Sequence, residues 1–401
     1  MDRRITINRE MQDESISLFV RLLGIYYVSL IFGAMHIGPI GSLLKIIGFI
    51  PIVVWFFFRS TVYFSRLWTV FMLEVLWTAA ANIWTINAAG SKERLFTQGA
   101  FLLLLVSVSA YIYNDREIYY LKRCLVWSSR ISAVCTVAFA SFHEGRMYLN
   151  GVLKEDPNYL CAYFLFGIVN GFQILMGDED QERSKLFYGL EELFYFYVIF
   201  ATGSRGGLLA VLAAVFVYCL FREKRWTISP QTVITCCAAG ILLVVAVFVM
   251  FRFVPMEVLD RFSPSTLAHT DGTGRFTIWE DTLRVFRNSS LARQMGGYGP
   301  GTAFTLAEVF NYRVKNVVHN IFLEHLIELG VVGLALYCIY IFRFWICARI
   351  QKNDFAFAVM SGLIVLSLST SIQTFKPYWN ILIFIICSEY TTRSVSEKER
   401  E

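Results

Sequence analysis

Three widely separated positions in this sequence carry side chains suited to handling an anionic leaving group. Arg205 lies in Thr202-Gly203-Ser204-Arg205-Gly206-Gly207, Arg275 in Thr273-Gly274-Arg275-Phe276-Thr277-Ile278-Trp279, and His319-Asn320 stand just ahead of an apolar run. A guanidinium keeps its charge, and its planar fork meets phosphate oxygens in bidentate fashion. Such cations neutralise charge growing on a departing diphosphate. Histidine is the side chain best poised to accept a proton near neutral pH. The glycines around Arg205 let the backbone approach a ligand closely. Arg275 falls at an expected helix start, where free N–H groups bind anions and a cation opposes the helix dipole. Each position also has a plainer reading: a tight turn with a snorkelling arginine, a solvated surface arginine, and an interfacial histidine with a satisfied hydrogen bond. Asp156-Pro157-Asn158 is a fourth polar element, and it reads equally as a helix start, since Asp and Asn cap and Pro tolerates a first turn. His269 and His325 lack comparable flanking residues.

The elements that must position these residues are apolar blocks. Of 401 residues, 56% are hydrophobic and 17% charged, against about a quarter charged in a soluble domain. The apolar residues gather in stretches of about 18–20, the length that crosses roughly 30 Å of hydrocarbon. The expected spans are Ile16–Met35, Ile40–Phe58, Leu67–Ile86, Phe96–Tyr113, Leu125–Phe142, Tyr159–Met176, Leu186–Ala201, Leu208–Phe221, Val233–Phe251, Leu329–Trp345, Phe355–Ile372 and a short Tyr378–Cys387. This predicts an all-α, polytopic transmembrane bundle of about 12 spans. The blocks leave almost no soluble sequence between them, and no internal repeat relates the halves.

Charge sets the expected orientation. With the N-terminus cytoplasmic, the inside segments hold 19 Lys and Arg, while the short outside loops hold six: Lys92, Arg94, Arg146, Lys154, Arg205 and Lys376. That bias predicts both termini in the cytoplasm. Arg3 and Arg4 then read as an inside-positive flank; the other reading is a twin-arginine signal. The nine cysteines sit almost all in or beside apolar blocks, which argues against a disulfide framework and a Cys/His metal site.

One connection departs from the pattern. From Arg252 to about Val317 no span occurs, and this stretch is expected outside. Thr273 is a candidate helix cap, with Phe276, Trp279, Leu283 and Phe286 along one helical face. Gly296-Gly297-Tyr298-Gly299-Pro300-Gly301 reads as a turn, and His319 to Leu329 as a second amphipathic stretch leading into the tenth span. The expected organisation is 1–251 as nine transmembrane helices, 252–328 as a large extracytoplasmic loop with amphipathic helices, and 329–401 as the last transmembrane helices and cytoplasmic tail, all one integral membrane domain. Ionisable residues inside spans are functional suspects. Arg21 and Lys45 can snorkel, Glu191 and Glu192 lie toward the inner half, and Glu74 and Arg130 could pair.

The ordered set of motifs resembles the O-antigen ligase/O-antigen polymerase superfamily. Ser204-Arg205-Gly206-Gly207 with Leu208-Leu209-Ala210 is similar to that family's arginine segment. Gly274-Arg275, Ile278-Trp279 and Gly297-Tyr298-Gly299-Pro300-Gly301 resemble its large outer loop. His319-Asn320, Leu323-Glu324, Leu326, Glu328-Leu329-Gly330 and Gly333-Leu334 resemble its histidine segment, and Asp156-Pro157-Asn158 a further motif. Together they cover roughly residues 150–345.

The resemblance implies a C-type, metal-independent, inverting glycosyltransferase acting on an undecaprenyl-diphosphate-linked glycan and an acceptor glycan. It needs no cofactor, works in the lipid bilayer of the cell membrane with other polysaccharide export proteins as candidate partners, and has no nucleic-acid role. Arg205 and Arg275 would bind the diphosphate, and His319 would activate or position the acceptor hydroxyl. Asp156, Asn158, Tyr298, Asn320 and Glu324 are expected in substrate binding. Polymerisation of a capsule, exopolysaccharide or O-antigen is favoured over ligation, since nothing points to a lipid A core acceptor. The class alternative is a polysaccharide transporter or flippase, which would place polar groups at mid-depth around Glu74 and Arg130 and would show related halves or interrupted helices.

Overall fold

The computed structural model describes residues 15–37, 41–58, 65–143, 145–150, 153, 155–177, 184–222, 252, 254–263, 274–371 and 375–398. The expected span Val233–Phe251, the Thr273 cap and His269 lie outside the described residues. The described chain is predominantly helical, with two small antiparallel hairpins.

The first helices are α1 (Leu18–Val28), continued by a 3-10 turn Leu30–Ala34, α2 (Leu43–Phe58, with Pro51 inside), α3 (Arg66–Ala81), α4 (Ala88–Ser109) and α5 (Asp115–Phe139). A hairpin of His36–Ile37 and Gly41–Ser42 joins the first two. α5 begins about ten residues before the expected fifth span. Asn114 accepts from the Glu117 backbone at 2.8 Å while Glu117 accepts from Asn114 N at 3.2 Å, so a capping box starts the helix in polar sequence. α5 also stops at Phe139, because Ala140–His143 pairs with Arg146–Leu149 as a second hairpin.

Next come α6 (Pro157–Leu175), α7 (Lys185–Ala201), α8 (Arg205–Phe221) and a short α9 (Met256–Asp260). The loop region holds α10 (Arg275–Arg287), α11 (Leu291–Gly296) and α12 (Ala303–Val309). Last are α13 (Ile321–Ile350), α14 (Asp354–Ser367) and α15 (Lys376–Lys398). The short twelfth block is thus the apolar first half of a 23-residue helix.

Among the described residues, two helices are long and apolar enough to cross a membrane, Pro157–Leu175 and Ile321–Ile350; Leu18–Val28, Leu67–Ala81, Arg205–Phe221 and Asp354–Ser367 are apolar but shorter. α6 lies at the centre, buried on nearly every side, as an all-round apolar helix should be. α8 packs between α6 and α14. Added methyls at Gly207 and Gly206 would meet Cys161 Sγ at 2.2 Å and Ser369 Oγ at 2.1 Å, so the two glycines after Arg205 serve close packing.

The loop builds a small core of its own from Ile278, Val285, Leu306, Ala307, Tyr312, Val318 and Ile327. The face of α10 that it buries is Ile278, Asp281, Thr282 and Val285, while Phe276, expected on the apolar face, is 53% exposed. The buried Asp281 is satisfied by Arg313, whose backbone N and Nε donate to it at 2.8 and 3.1 Å. These bonds and the Arg284 charge outweigh burial and hold its carboxyl below the usual range.

α13 is interrupted where the amphipathic stretch was expected to meet the tenth span. Gly330 has φ 72° and ψ −171°. The freed carbonyls are taken up: Ile327 O accepts from Tyr298 N at 3.0 Å, Glu328 O from Gly299 N at 2.8 Å, and Leu329 O from Trp77 Nε1 at 2.9 Å. The Glu328 carboxylate accepts from Gly301 N and Ala303 N at 3.0 and 2.9 Å. The glycine-rich run is therefore a strap fastened across a broken helix, which satisfies backbone groups that water cannot reach.

Candidate active site

The site forms where the second hairpin, the α6 and α8 N-termini, α9, the start of α10 and the segment before α13 converge. Asp156 caps α6, its Oδ1 accepting from Asn158 N and Nδ2, both at 2.7 Å. Ser204 caps α8, accepting from Gly207 N at 3.0 Å, and its hydroxyl donates to Asn158 Oδ1 at 2.8 Å. Arg146, on the hairpin, donates to the same Oδ1 at 2.9 Å and to Thr202 O at 3.3 Å. One buried amide oxygen thus ties three chain segments together.

Two glycines bring the backbones close. Gly203 (φ 62°) lies under the hairpin tip, where an added Cβ would stand 2.9 Å from Gly145 O; one at Gly145 (φ 65°) would stand 2.6 Å from Glu257 O on α9. Across that junction Arg205 Nε donates to Arg261 O at 2.9 Å, a second guanidinium nitrogen of Arg205 donates to the same carbonyl, and Arg261 Nε donates to Gly203 O at 3.3 Å.

Four guanidinium groups therefore share one neighbourhood. Burial, then the charges of Arg146 and Arg205, push the Arg261 pKa down, with Arg275 adding to the effect. Burial and Arg146 likewise lower Arg275, against a weaker pull from Asp156. The Arg275 guanidinium makes no hydrogen bond to any described residue. Its helix begins after Gly274 (φ 78°) with no side-chain cap.

His319 lies within reach of the same charges. Burial first, then Arg275 and Arg146, lower its pKa, opposed by Asp156 and Glu324. The neutral form, with a free ring nitrogen, is therefore favoured. Its backbone sits at φ 52°, a conformation disfavoured for a side chain with a Cβ. The flanks hold it there. Trp279 Nε1 donates to Val318 O at 2.9 Å, and Asn320 caps α13 by accepting from Phe322 N and Leu323 N at 3.0 and 3.2 Å.

The structure brings Arg205, Arg275, His319, Asp156 and Asn158 together and adds Arg146 and Arg261. Asn320 spends its side-chain oxygen on the helix cap. Glu324 is paired with Arg94 at 2.8 Å. Tyr298 contacts Ser289, Arg293 and Phe310, none of which belongs to the cluster. Glu74 and Arg130 do not pair: Arg130 is bidentate on Glu191 at 2.6 and 3.0 Å, and Glu74 meets His325 and Gln98, each at 3.2 Å. Each is taken up by a partner on another helix. Arg146 carried a weak sequence signal as one of six basic residues in short outer loops. Arg261, followed by Phe262, carried none.

Several cations facing one carboxylate that is not already paired make a site for a polyanion, with a neutral imidazole beside it. The family model described as Wzy_C, O-antigen ligase, matches residues 193–338, a stretch that includes Arg205, Arg261, Arg275 and His319. No curated protein matches this chain. A chain in a solved structure described as "Structural coordination of polymerization and crosslinking by a peptidoglycan synthase complex" is 17% identical, covers 82% of this chain and 97% of its own length, and superposes with a TM-score of 0.45.

Proposed function

We propose, from the match of residues 193–338 to the O-antigen ligase family model, that this chain is a membrane glycosyltransferase of the O-antigen ligase/polymerase type acting on an undecaprenyl-diphosphate-linked oligosaccharide at the extracytoplasmic face of the cell membrane. On this reading the chain has twelve spans with both termini cytoplasmic. Its product is a capsule, exopolysaccharide or O-antigen, made by polymerisation rather than ligation. The observation that carries the reading is the gathering of Arg146, Arg205, Arg261 and Arg275 around Asp156 and His319.

In the proposed reaction an acceptor hydroxyl attacks the anomeric carbon from the side opposite the diphosphate. The new C–O bond forms as the bond from carbon to diphosphate oxygen breaks, inverting the centre. The hydroxyl proton passes to His319, whose surroundings favour the neutral form. The prenyl diphosphate leaves with its charge matched by guanidinium groups fixed beforehand. The reaction needs no metal, because arginines supply the positive charge.

Transport of the same glycan is the second reading, and the interruption of a membrane-length helix at Gly330 favours it. Reconstitution separates the two. Purified protein in vesicles with lipid-linked repeat units should release free prenyl diphosphate and lengthen the glycan, and Arg205→Ala should slow both by about 10²–10³. Movement of intact donor without release of prenyl diphosphate would establish the carrier. A strain lacking the protein should accumulate single repeat units if it polymerises, and long lipid-linked chains if it ligates.

A further inference from the structure

The loop carries a second concavity that the arginine cluster does not use. It is a pocket of about 360 Å³ lined by Arg284, Val285, Asn288, Tyr298, Phe310 and Asn311, within the roughly 300–1,000 Å³ range of small-ligand sites. We propose that this pocket holds a sugar ring of the glycan, at a subsite separate from the diphosphate. The inference rests on the transferase reading above and names where part of its substrate lies.

The pocket is built as a rigid aromatic platform with free amides at its rim. The Tyr298 hydroxyl is bonded to Ser289 Oγ at 2.7 Å, and the Arg293 guanidinium lies over its ring at 5.0 Å. Arg293 is itself held by Trp84 O at 3.0 Å and Gly297 O at 3.3 Å. Phe310 meets Tyr298 edge to face, with ring centres 5.4 Å apart, and remains 38% exposed. The side-chain amides of Asn288 and Asn311 hydrogen-bond no described residue. Asn311 is brought to the rim by a left-handed turn at the end of α12 (φ 48°), closed by Tyr312 N on Ala307 O at 2.9 Å.

Charge separates this pocket from the arginine cluster. Arg284 is paired with Asp281 at 3.1 Å, and Arg313 with Glu280 and Asp281 at 2.8 and 3.1 Å. Arg284, the cation that lines the pocket, is thus matched by a carboxylate, and the Arg293 guanidinium is spent on two main-chain carbonyls. Rings to meet the apolar face of a pyranose, beside amides that both donate and accept, suit an uncharged saccharide. The concave shape favours a sugar over a membrane surface, which would meet a convex apolar face.

The probe is the repeat-unit oligosaccharide released from the host's own surface polysaccharide by mild acid, free of lipid and phosphate. Binding to the full-length protein in nanodiscs is read by saturation-transfer NMR, with inorganic pyrophosphate measured in parallel. Phe310→Ala and Asn288→Ala should each weaken oligosaccharide binding at least fivefold. Arg205→Ala should abolish pyrophosphate binding and leave the oligosaccharide signal in place. Asn288 is an exposed polar residue at a helix end, so its variant tests the pocket without risk to the fold. Wild-type protein that binds no oligosaccharide, or variants that bind it undiminished, would overturn the subsite. Retained pyrophosphate binding in Arg205→Ala would instead strike at the transferase reading. Loss of vesicle attachment by a soluble loop-facing lipid probe in Phe310→Ala, with sugar binding unchanged, would assign the pocket to the membrane and overturn the proposal.

Discussion

Arg205 and Arg261 are locked reciprocally: the guanidinium of the first donates to the main-chain carbonyl of the second, and the second donates back to Gly203 O at 3.3 Å, two residues before the first. The clasp fixes the position of one arginine by the backbone of another, although 56 residues separate them. Charge alone cannot reproduce it, because a lysine has no planar fork. Arg205→Ala should lower the transfer rate by about 10²–10³, as loss of one preorganised donor does. Arg205→Lys should recover only a small part. Rates with purified protein and lipid-linked donor, beside a thermal-unfolding control, check both.

The His319 environment sets the direction of a pH effect. A proton acceptor must be neutral, and the folded pKa is depressed by burial and by Arg275. The acid limb of kcat/KM, which reports the free enzyme, should therefore lie below the usual histidine value of about 6.5. Arg275→Gln removes one charge that favours the neutral ring, so the limb should move upward. The kcat limb should lie above the kcat/KM limb, because bound diphosphate favours the protonated ring. A full pH–rate profile of both proteins measures the shifts.

Asn158 offers a way to neutralise the cluster without removing an arginine. Its Oδ1 accepts from Arg146 and Ser204 at 2.9 and 2.8 Å. Asn158→Asp keeps the oxygen that Arg146 and Ser204 donate to, adds a negative charge beside Arg146, and replaces the Nδ2 that donates to Asp156 at 2.7 Å with a second carboxylate oxygen. Affinity for prenyl diphosphate should fall roughly tenfold, the effect of about 1.4 kcal/mol, while the protein stays folded. Calorimetric titration into detergent-solubilised protein tests this.

Gly330 and Gly297 each lie against the backbone beside the other. A methyl at Gly330 would stand 2.2 Å from Met295 O, and one at Gly297 2.1 Å from Glu328 O, each at a positive φ. Gly330→Ala should cost about 1–3 kcal/mol in backbone strain alone, with the steric clash added. The expected result is a lower unfolding midpoint and loss of activity, with Gly99→Ala the mild comparison because an added Cβ there meets nothing within 4 Å.

Much of this architecture was legible because its signals are local. Apolar length marked the described helices on either side of the loop, and the His319-Asn320 segment stood out ahead of a periodic apolar run. The Arg205 and Arg275 segments were readable as cations beside glycine. Arg146 and Arg261 were not, since their place depends on a hairpin tip and a five-residue helix meeting at Gly203 and Gly145. The hairpin itself was hidden because Ala140-Ser141-Phe142 continues an apolar run. The early start of α5 was written in Asn114 and Glu117, yet a search for apolar length passes over polar first turns. The buried face of α10 was misjudged because Asp281 is polar by type and buried only through Arg313, 32 residues away.

The break at Gly330 has a mechanical consequence. An unbroken 30-residue rod would carry any tilt forced on it by bilayer thickness straight to His319. Here the first turns take their bearing from the main chain of Tyr298 and Gly299, and Trp77 holds the last carbonyl before the break. A joint at Gly330 would let the part beyond it lean with bilayer thickness while the imidazole keeps its station.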